Sequence, residues 1–291
     1  MAATIQASSS ELGVIIPPSV PLILYAVSTQ TSITQLFIAG IGPGLLVASA
    51  LILMVQIWCR VQGHGKEDGT DKQPIIASFF KAFWALMMPV IILGGIYGGV
   101  FSPTEAAAIA VIYALFLDLV VYKEMTLKDL PHLFKSAAIS SGAVMLIIAA
   151  ASLFSFLISL SGMPNAVGAW AQDTFADAWT FLLAINALLF FIGMFIETSA
   201  AILVLAPILT PVAMAFGIDP VHFGIIIVVN LALGIFTPPL GVNLFAAAQV
   251  ASIPVQHMFK TLVIPVLTMI TALMIITYVP MVSLFLRDLM Q

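Results

Sequence analysis

The sequence predicts an all-α polytopic membrane protein with an inverted repeat, discontinuous helices and a re-entrant hairpin. Hydrophobic residues make up 62% of the 291 residues and charged residues only 8%, whereas soluble domains average roughly 45–50% apolar and about 25% charged residues. The apolar segments are continuous rather than alternating, which argues against the strands of a membrane barrel. Since an unpaired backbone group is costly in lipid, most of the chain is expected to be helical. Two similar proline-containing segments interrupt this apolar chain near its two ends.

The two interruptions share a pattern of one glycine, three further residues and two prolines. The first covers residues 13–19 and the second residues 234–240, and a single offset of 221 residues aligns them without a gap. Proline removes a backbone donor and clashes with the preceding turn, so two in succession unwind a helix. One such proline would be an ordinary kink. A matched pair in two apolar halves indicates the binding site of a secondary transporter.

Basic residues orient the predicted helices. Seven of the nine lysine and arginine residues lie in or beside two loops, at 59–81 and 123–135. The positive-inside rule places both loops in the cytoplasm. Residues 161–180 carry two aspartates and no basic residue, so this segment is placed outside. With these assignments the first interrupted helix runs outward and the second runs inward, which makes the two copies antiparallel.

The first half of the chain contains an interrupted helix followed by five further predicted helices. The interrupted helix consists of two half-helices on either side of the first double proline. The fourth of the further helices is a short surface helix, for which Thr126 is the expected N-cap. The predicted ranges are 1–16, 19–29, 33–58, 80–98, 104–122, 126–135 and 136–160.

Residues 178–216 form one apolar stretch that is interrupted at Glu197. A crossing needs about 20 residues, and each arm is shorter than this or barely reaches it. A re-entrant hairpin with its tip at Glu197 and two full crossings both satisfy this pattern, and both return the chain to the outside. Residues 221–236 then enter the membrane, residues 242–255 continue beyond the second interruption, and residues 261–286 form the last crossing.

Oxygen ligands gather at the two interruptions and at the hairpin tip. Unwound carbonyl groups at such sites coordinate Na⁺, and half-helix N-termini attract anionic substrate groups. Thr237 is the expected N-cap of the second half-helix, with Pro238 at its first helical position. The Na⁺ candidates are Ser19, Thr237 and Asn243. The full set of predicted substrate- and ion-binding residues is Gly13, Pro17, Pro18, Ser19, Glu197, Thr198, Ser199, Gly234, Thr237, Pro238, Pro239, Gly241 and Asn243.

Three acidic residues need a separate interpretation. Glu197 lies in mid-membrane, where an acid is a functional candidate by default, although it could also pair with the neighbouring backbone. Glu105 follows Pro103 closely and is interpreted as part of a helix start. Glu11 lies in the half-helix before the first interruption, where it lines the cavity or occupies an edge.

The residues give no indication of an enzyme or a nucleic-acid-binding protein. The four histidines and the single Cys59 show no metal-ligand spacing, and no nucleophile lies near a candidate base, so no catalytic residue is predicted. No basic tract and no combination of aromatic and basic residues suggests nucleic-acid binding. We therefore expect a transport function without a cofactor other than a coupling ion.

Three segments resemble the hallmarks of a known family. Residues 94–107 closely match one hallmark of the large membrane subunit of tripartite ATP-independent periplasmic (TRAP) transporters, the DctM-like permeases. Residues 13–21 and 234–243 resemble the other two. The three segments occur in the order found in that family, and the resemblance covers essentially the whole chain.

The resemblance implies a multi-pass protein of the bacterial or archaeal inner membrane, within the ion transporter superfamily. It implies Na⁺-coupled uptake of small organic acids, such as a C4-dicarboxylate or sialic acid, by an elevator motion. The implied partners are a small membrane subunit and a periplasmic substrate-binding protein, with Na⁺ as the coupling ion. A standalone ion-coupled anion permease of the wider superfamily and a non-transporting fragment are the alternatives.

The resemblance also implies a division of the chain. Residues 1–30 would be the remnant of the first-repeat transport domain, and residues 178–255 the second-repeat transport domain. Residues 31–177 would form scaffold and connecting helices, and residues 256–291 the C-terminal helix. Members of the family carry a first hairpin ahead of the first interruption, so the chain is expected to be an N-terminally truncated fragment, to have a misassigned start, or to be one piece of a split permease.

Overall fold

The computed structural model describes residues 1–63 and 75–290. Much of the predicted cytoplasmic loop at 59–81, including Lys66 and Lys72, lies outside these residues. The described residues form fourteen α-helices and one π-helical segment, with no strand among them, which confirms the all-α class. In chain order the helices are α1 (Ala2–Ser9), α2 (Leu12–Ile15), α3 (Val20–Thr29), α4 (Ile33–Gln62), α5 (Ile75–Tyr97), α6 (Pro103–Phe116), α7 (Leu130–Leu160), α8 (Met163–Thr174), α9 (Ala178–Gly193), α10 (Thr198–Ala215), α11 (Pro220–Ile235), α12 (Val242–Val250), α13 (Gln256–Tyr278) and α14 (Met281–Met290).

Several of these helices have the length and apolar character of membrane spans. In the part of the chain that the structure describes, five helices are long and apolar enough to cross a membrane, and seven spans result if each of two bent pairs counts as one. The first bent pair joins α1 and α2 to α3 with a bend of 42°, and the second joins α8 to α9 with a bend of 119°. The chain is therefore a polytopic membrane protein.

The chain divides into two compact units. One consists of residues 1–64 and 149–291, and the other of residues 65–148. In the first unit, α11 is the central helix, because every residue from Val221 to Gly234 is buried. Helices α2, α3, α4, α9, α10 and α13 pack around it. Both interrupted helices and the hairpin belong to this unit.

In the second unit, α5 packs against α6, and the Tyr113 hydroxyl donates to the Trp84 carbonyl at 2.7 Å. The α6 N-terminus is a capping box. The Glu105 carboxylate accepts from the Ser102 backbone N–H at 2.8 Å, and the Ser102 hydroxyl accepts from the Glu105 N–H at 3.3 Å. Such reciprocal bonds satisfy two donors that a helix start leaves free. The interpretation of Glu105 as a helix start is confirmed.

Several predicted helix boundaries were wrong, and two of the differences have a clear local cause. The separate surface helix at 126–135 does not form, because the Asp129 carboxylate holds the Thr126 N–H at 2.9 Å and its hydroxyl at 2.6 Å in a turn, and one helix continues from Leu130 to Leu160. The last predicted crossing ends early, at Tyr278, and α14 follows it. Pro280 explains this end, because proline cannot continue a helix without losing a bond.

Candidate functional site at the two helix breaks

The first break separates α2 from α3. Ile16 and Ser19 both have extended backbone angles, and the Pro17–Pro18 peptide bond is cis. The Ser19 hydroxyl donates to the Val14 carbonyl across the break, and Ser19 is buried. Pro17 is also buried, whereas Gly13 and Pro18 are exposed. The hydroxyl of Ser19 therefore satisfies one of the carbonyls that the broken helix releases.

The second break separates α11 from α12 and also contains a cis peptide, between Pro238 and Pro239. Thr237 was predicted to be the N-cap of α12, and that role is wrong. Its hydroxyl donates to the Leu233 carbonyl at 2.8 Å, one turn back in α11. Gly241 is the residue that precedes α12, with a φ of 50° that glycine adopts without a steric penalty. Pro238 is therefore not the first residue of a helix.

The two interrupted helices lie antiparallel, as predicted. At one end, the Asn243 amide at the start of α12 donates to the Ser10 hydroxyl, which follows α1, at 3.1 Å. At the other end, the Tyr25 hydroxyl near the end of α3 donates to the Pro220 carbonyl at the start of α11, at 2.7 Å. As the residue number rises along the first interrupted helix, the residue number of its contact on the second one falls, which defines an antiparallel pair.

The hairpin formed by α9 and α10 packs against the second break. Gly193 ends α9 and touches Gly234 directly, since a Cβ on Gly234 would lie 2.6 Å from the Gly193 Cα. The Leu240 N–H donates to the Met194 carbonyl at 3.4 Å. The structure therefore places the end of α9, just before the hairpin tip, against the second break.

At the hairpin tip, Glu197 is exposed and caps α10. Its carboxylate accepts from the Ala200 N–H at 3.0 Å and from the Ser199 hydroxyl at 2.9 Å. This geometry matches the interpretation in which Glu197 pairs with the neighbouring backbone. The adjacent Thr198 is only 2% exposed, and within the described residues its hydroxyl has no hydrogen-bond partner. Thr198 is therefore a candidate ligand residue at the hairpin tip.

For Glu11, the sequence did not decide between a position that lines the cavity and a position at an edge. Glu11 lies between α1 and α2, is fully buried, and its Oε1 accepts from the Asn243 Nδ2 at 2.5 Å. Its Oε2 has no hydrogen-bond partner in the described part of the chain. The sequence did contain a signal, since Glu11 is the only acidic residue among the first 66 residues, and acids inside apolar segments are functional candidates.

A cavity of about 580 Å³ lies between α1 and α12, beside this contact. Six alanines and Val250 form most of its wall, and its polar lining residues are Gln6, Ser10 and Asn243. Asn243 thus borders the cavity and reaches Glu11 with the same amide. The cavity is large enough for a small organic molecule. Its mostly apolar wall lies beside the polar contact between Asn243 and Glu11.

Comparison with known proteins agrees with this architecture. The family model described as the tripartite ATP-independent periplasmic transporter, DctM component, matches residues 1–282. The chain belongs to this DctM family. It is 41% identical to a C4-dicarboxylate TRAP transporter large permease protein of Pseudomonas aeruginosa, over 98% of this chain and 67% of that protein. It is 38% identical to a sialic acid TRAP transporter large permease protein of Vibrio cholerae and 36% identical to an ectoine TRAP transporter large permease protein of Halomonas elongata, over 97% of this chain and 66% of each.

This DctM family member therefore spans about two thirds of the length of the large permeases it matches. Its relatives are permeases, so it is a transporter component rather than an enzyme. Of the predicted site residues, the structure joins Asn243 to Ser10 ahead of the first break, and it places Gly234 of the second break against Gly193 at the end of the first hairpin arm. The Ser19 hydroxyl bonds across the first break and the Thr237 hydroxyl bonds one turn back in α11, so neither hydrogen bond joins two of the three Na⁺ candidates.

A buried polar network that the sequence did not predict supports the hairpin in this DctM chain. The Asn230 amide on α11 donates to the Asn186 Oδ1 on α9 at 2.7 Å, and the Asn186 amide donates to the Thr277 hydroxyl on α13 at 3.1 Å. All three residues are at most 2% exposed. Polar side chains that bond across helices hold membrane bundles together, and this network fixes one hairpin arm to the broken helix.

At the start of α11, Asp219 caps the helix and forms an ion pair with Arg287 of α14 at 2.7 Å. Burial raises the pKa of the Asp219 carboxyl, but the hydrogen bonds from Arg287 and the His222 N–H outweigh burial, so the net effect lowers the pKa from its ordinary value. Because the pKa of Asp219 is lower in the folded state than in the unfolded state, the ionised carboxylate stabilises the fold. This stabilisation is complete at pH values above the unfolded-state pKa of about 3.9. This stabilisation is lost as the pH falls through the folded-state pKa.

We expect Asp219→Asn to lower the thermal unfolding midpoint at pH 7 by an amount equivalent to about 1 kcal/mol or less, because the ion pair is partly exposed. The difference from the unmodified chain should shrink when both are heated at about pH 2, because the stabilisation is lost only as the pH falls through the lowered folded-state pKa. Unfolding is followed by tryptophan fluorescence in detergent. Asp173→Asn, at an exposed acid of α8, is the control and should change the midpoint little at either pH. A deficit that stays equal at both pH values would contradict the role of the charge.

Proposed function

We propose that the chain is the membrane permease subunit of a Na⁺-coupled secondary transporter that imports small organic acids across a bacterial or archaeal inner membrane. The observation that carries this proposal is the antiparallel pair of broken helices, whose interruptions approach each other through Asn243, Ser10 and Glu11. Broken helices related in this way form the substrate and ion sites of secondary transporters. Membership of the DctM family supports the same conclusion.

The proposed coupling ion binds where the unwound backbone and buried hydroxyls converge. Ser19, Thr237 and Asn243 are the proposed Na⁺ ligands, together with carbonyl groups of residues 13–16 and 234–237. The buried hydroxyl of Thr198 supports an ion near the hairpin tip, because it has no partner among the described residues and the end of α9, just before the tip, packs on the second break. Hydroxyl and carbonyl oxygens are hard ligands that suit such a cation.

The proposed substrate is a small carboxylate. The relatives named above are permeases for C4-dicarboxylate, sialic acid and ectoine, each of which carries a carboxyl group. We propose that residues 1–30 and 178–255 form the moving transport domain and that residues 31–177 and 256–291 form its support, so that substrate crosses by an elevator motion. Pro17, Pro18, Pro238, Pro239 and Gly241 would shape the turns that present free backbone groups to the substrate.

The proposed partners are a small membrane subunit and a periplasmic substrate-binding protein. The test is uptake of a labelled C4-dicarboxylate or sialic acid into proteoliposomes that contain the chain with both partners. An inward Na⁺ gradient should drive uptake above the level seen with choline. Uptake that is equal in Na⁺ and choline would refute the coupling, and uptake that is unchanged without the binding protein would favour a standalone permease instead.

A further inference from the structure

The Glu11 carboxyl group is the most unusual buried group in the described part of the chain. It is 0% exposed, one oxygen has a single amide donor, and the other has no partner. The ion pairs recorded among the described residues both belong to Arg287, so none of them balances Glu11. Burying an ionised carboxylate without a counter-charge is very costly, and one neutral amide does not compensate for that cost. A carboxyl group buried in this way is therefore either protonated or balanced by a bound cation.

Three polar side chains meet at this contact. The Asn243 Nδ2 lies 2.5 Å from the Glu11 Oε1 and 3.1 Å from the Ser10 Oγ, so a single amide group reaches both oxygens. The amide of asparagine also carries an oxygen acceptor. A half-turn of that amide would present its Oδ1 beside the same two groups. Ser10 and Asn243 border the cavity of about 580 Å³, which gives an entry path for an ion.

We infer that Glu11, Ser10 and Asn243 form a binding site for a monovalent cation, in which Glu11 supplies the counter-charge and the Asn243 amide turns to offer its oxygen. This inference rests on the ion coupling proposed above and adds a charged ligand to the neutral ones. One carboxylate with neutral oxygens suits Na⁺, whereas protein sites for Ca²⁺ take six to eight oxygen ligands, usually with several carboxylates. Because Asn243 follows the second break and Glu11 precedes the first, a bound cation holds the two interrupted helices together.

The test measures cation binding by the purified 291-residue chain in lipid nanodiscs, without transport. A ligand that binds only the folded state stabilises it, and the unfolding midpoint rises with the logarithm of the ligand concentration once that concentration exceeds the dissociation constant. We expect NaCl to raise the midpoint of the unmodified chain, relative to choline chloride at equal ionic strength. Glu11→Gln keeps the shape of the side chain and removes a buried charge, so it should fold, and it should weaken the apparent Na⁺ affinity by at least about tenfold.

Glu124→Gln removes a carboxylate at an exposed position and serves as the matched control, with an unchanged Na⁺ response. A second readout is the infrared difference spectrum on adding Na⁺, where a carboxylate stretching band should shift in the unmodified chain and in Glu124→Gln but not in Glu11→Gln. A Glu11→Gln response within twofold of the unmodified chain, or no Na⁺ response in the unmodified chain, would overturn the inference. Na⁺-independent uptake with Na⁺ binding intact would instead refute the coupling alone.

Discussion

Gly234→Ala is expected to destabilise the protein severely and to abolish uptake. A Cβ at this position would lie 2.6 Å from the Gly193 Cα and 2.8 Å from its carbonyl oxygen. Both are backbone atoms, so no side-chain rotation relieves the overlap, and the hairpin must move away from the second break. Overpacking a close-packed interior costs about 1–3 kcal/mol and occasionally more. We expect a lower yield of folded protein and a clearly lower unfolding midpoint in detergent.

The internal repeat supplies a matched control for this substitution. Gly13 occupies the position equivalent to Gly234 in the first copy, yet no heavy atom of the described residues lies within 4 Å of a Cβ placed there. Gly13→Ala should therefore leave the unfolding midpoint nearly unchanged. If the two alanine variants lose stability equally, the close packing of the hairpin on the second break is not what requires Gly234.

Asn243→Ala is expected to lose most of the Na⁺ dependence of uptake. The substitution removes the amide that joins the second break to Ser10 and Glu11, and it leaves both Glu11 oxygens without a donor. An interaction with a charged group contributes about 1.5–3 kcal/mol, so losing the Asn243 oxygen that is proposed to contact Na⁺ corresponds to a Na⁺ affinity weakened by at least about tenfold. The measurement is the Na⁺ concentration for half-maximal uptake in the reconstituted system.

Asn165→Ala, at an exposed asparagine of α8, is the control for this measurement and should keep the Na⁺ dependence of the unmodified chain. Uptake by Asn243→Ala with an unchanged half-maximal Na⁺ concentration would show that the ion binds elsewhere.

The sequence predicted those features that depend on local chemistry. Two successive prolines unwind a helix, so both breaks could be located within a few residues, whereas single prolines such as Pro43 and Pro265 lie inside continuous helices. The turn of the hairpin could be located from the polar residues that begin at Glu197 and interrupt the apolar stretch. Charge placement was sufficient to predict that the two copies are antiparallel. The end of α13 also had a local cause at Pro280, which the length of the apolar stretch concealed.

The contacts that complete the site could not be predicted in this way. Glu11 and Asn243 are 232 residues apart in the chain, and no local pattern determines that they meet. The same holds for Asn186, Asn230 and Thr277, which come together from three helices. The role of Thr237 was mistaken because a threonine hydroxyl can cap the following helix or bond back one turn, and only the path of the chain through Gly241 decides between the two.

The measurement that tests the central claim most directly is cross-linking between the two interrupted helices. Replacing Cys59 by serine removes the single cysteine of the chain. Pairs of cysteines can then be introduced by mutation and cross-linked in membranes. The antiparallel arrangement predicts that Ser10→Cys combined with Asn243→Cys is joined by a short bifunctional reagent, whereas Ser10→Cys combined with His222→Cys is not. Efficient cross-linking of the second pair without the first would contradict the account.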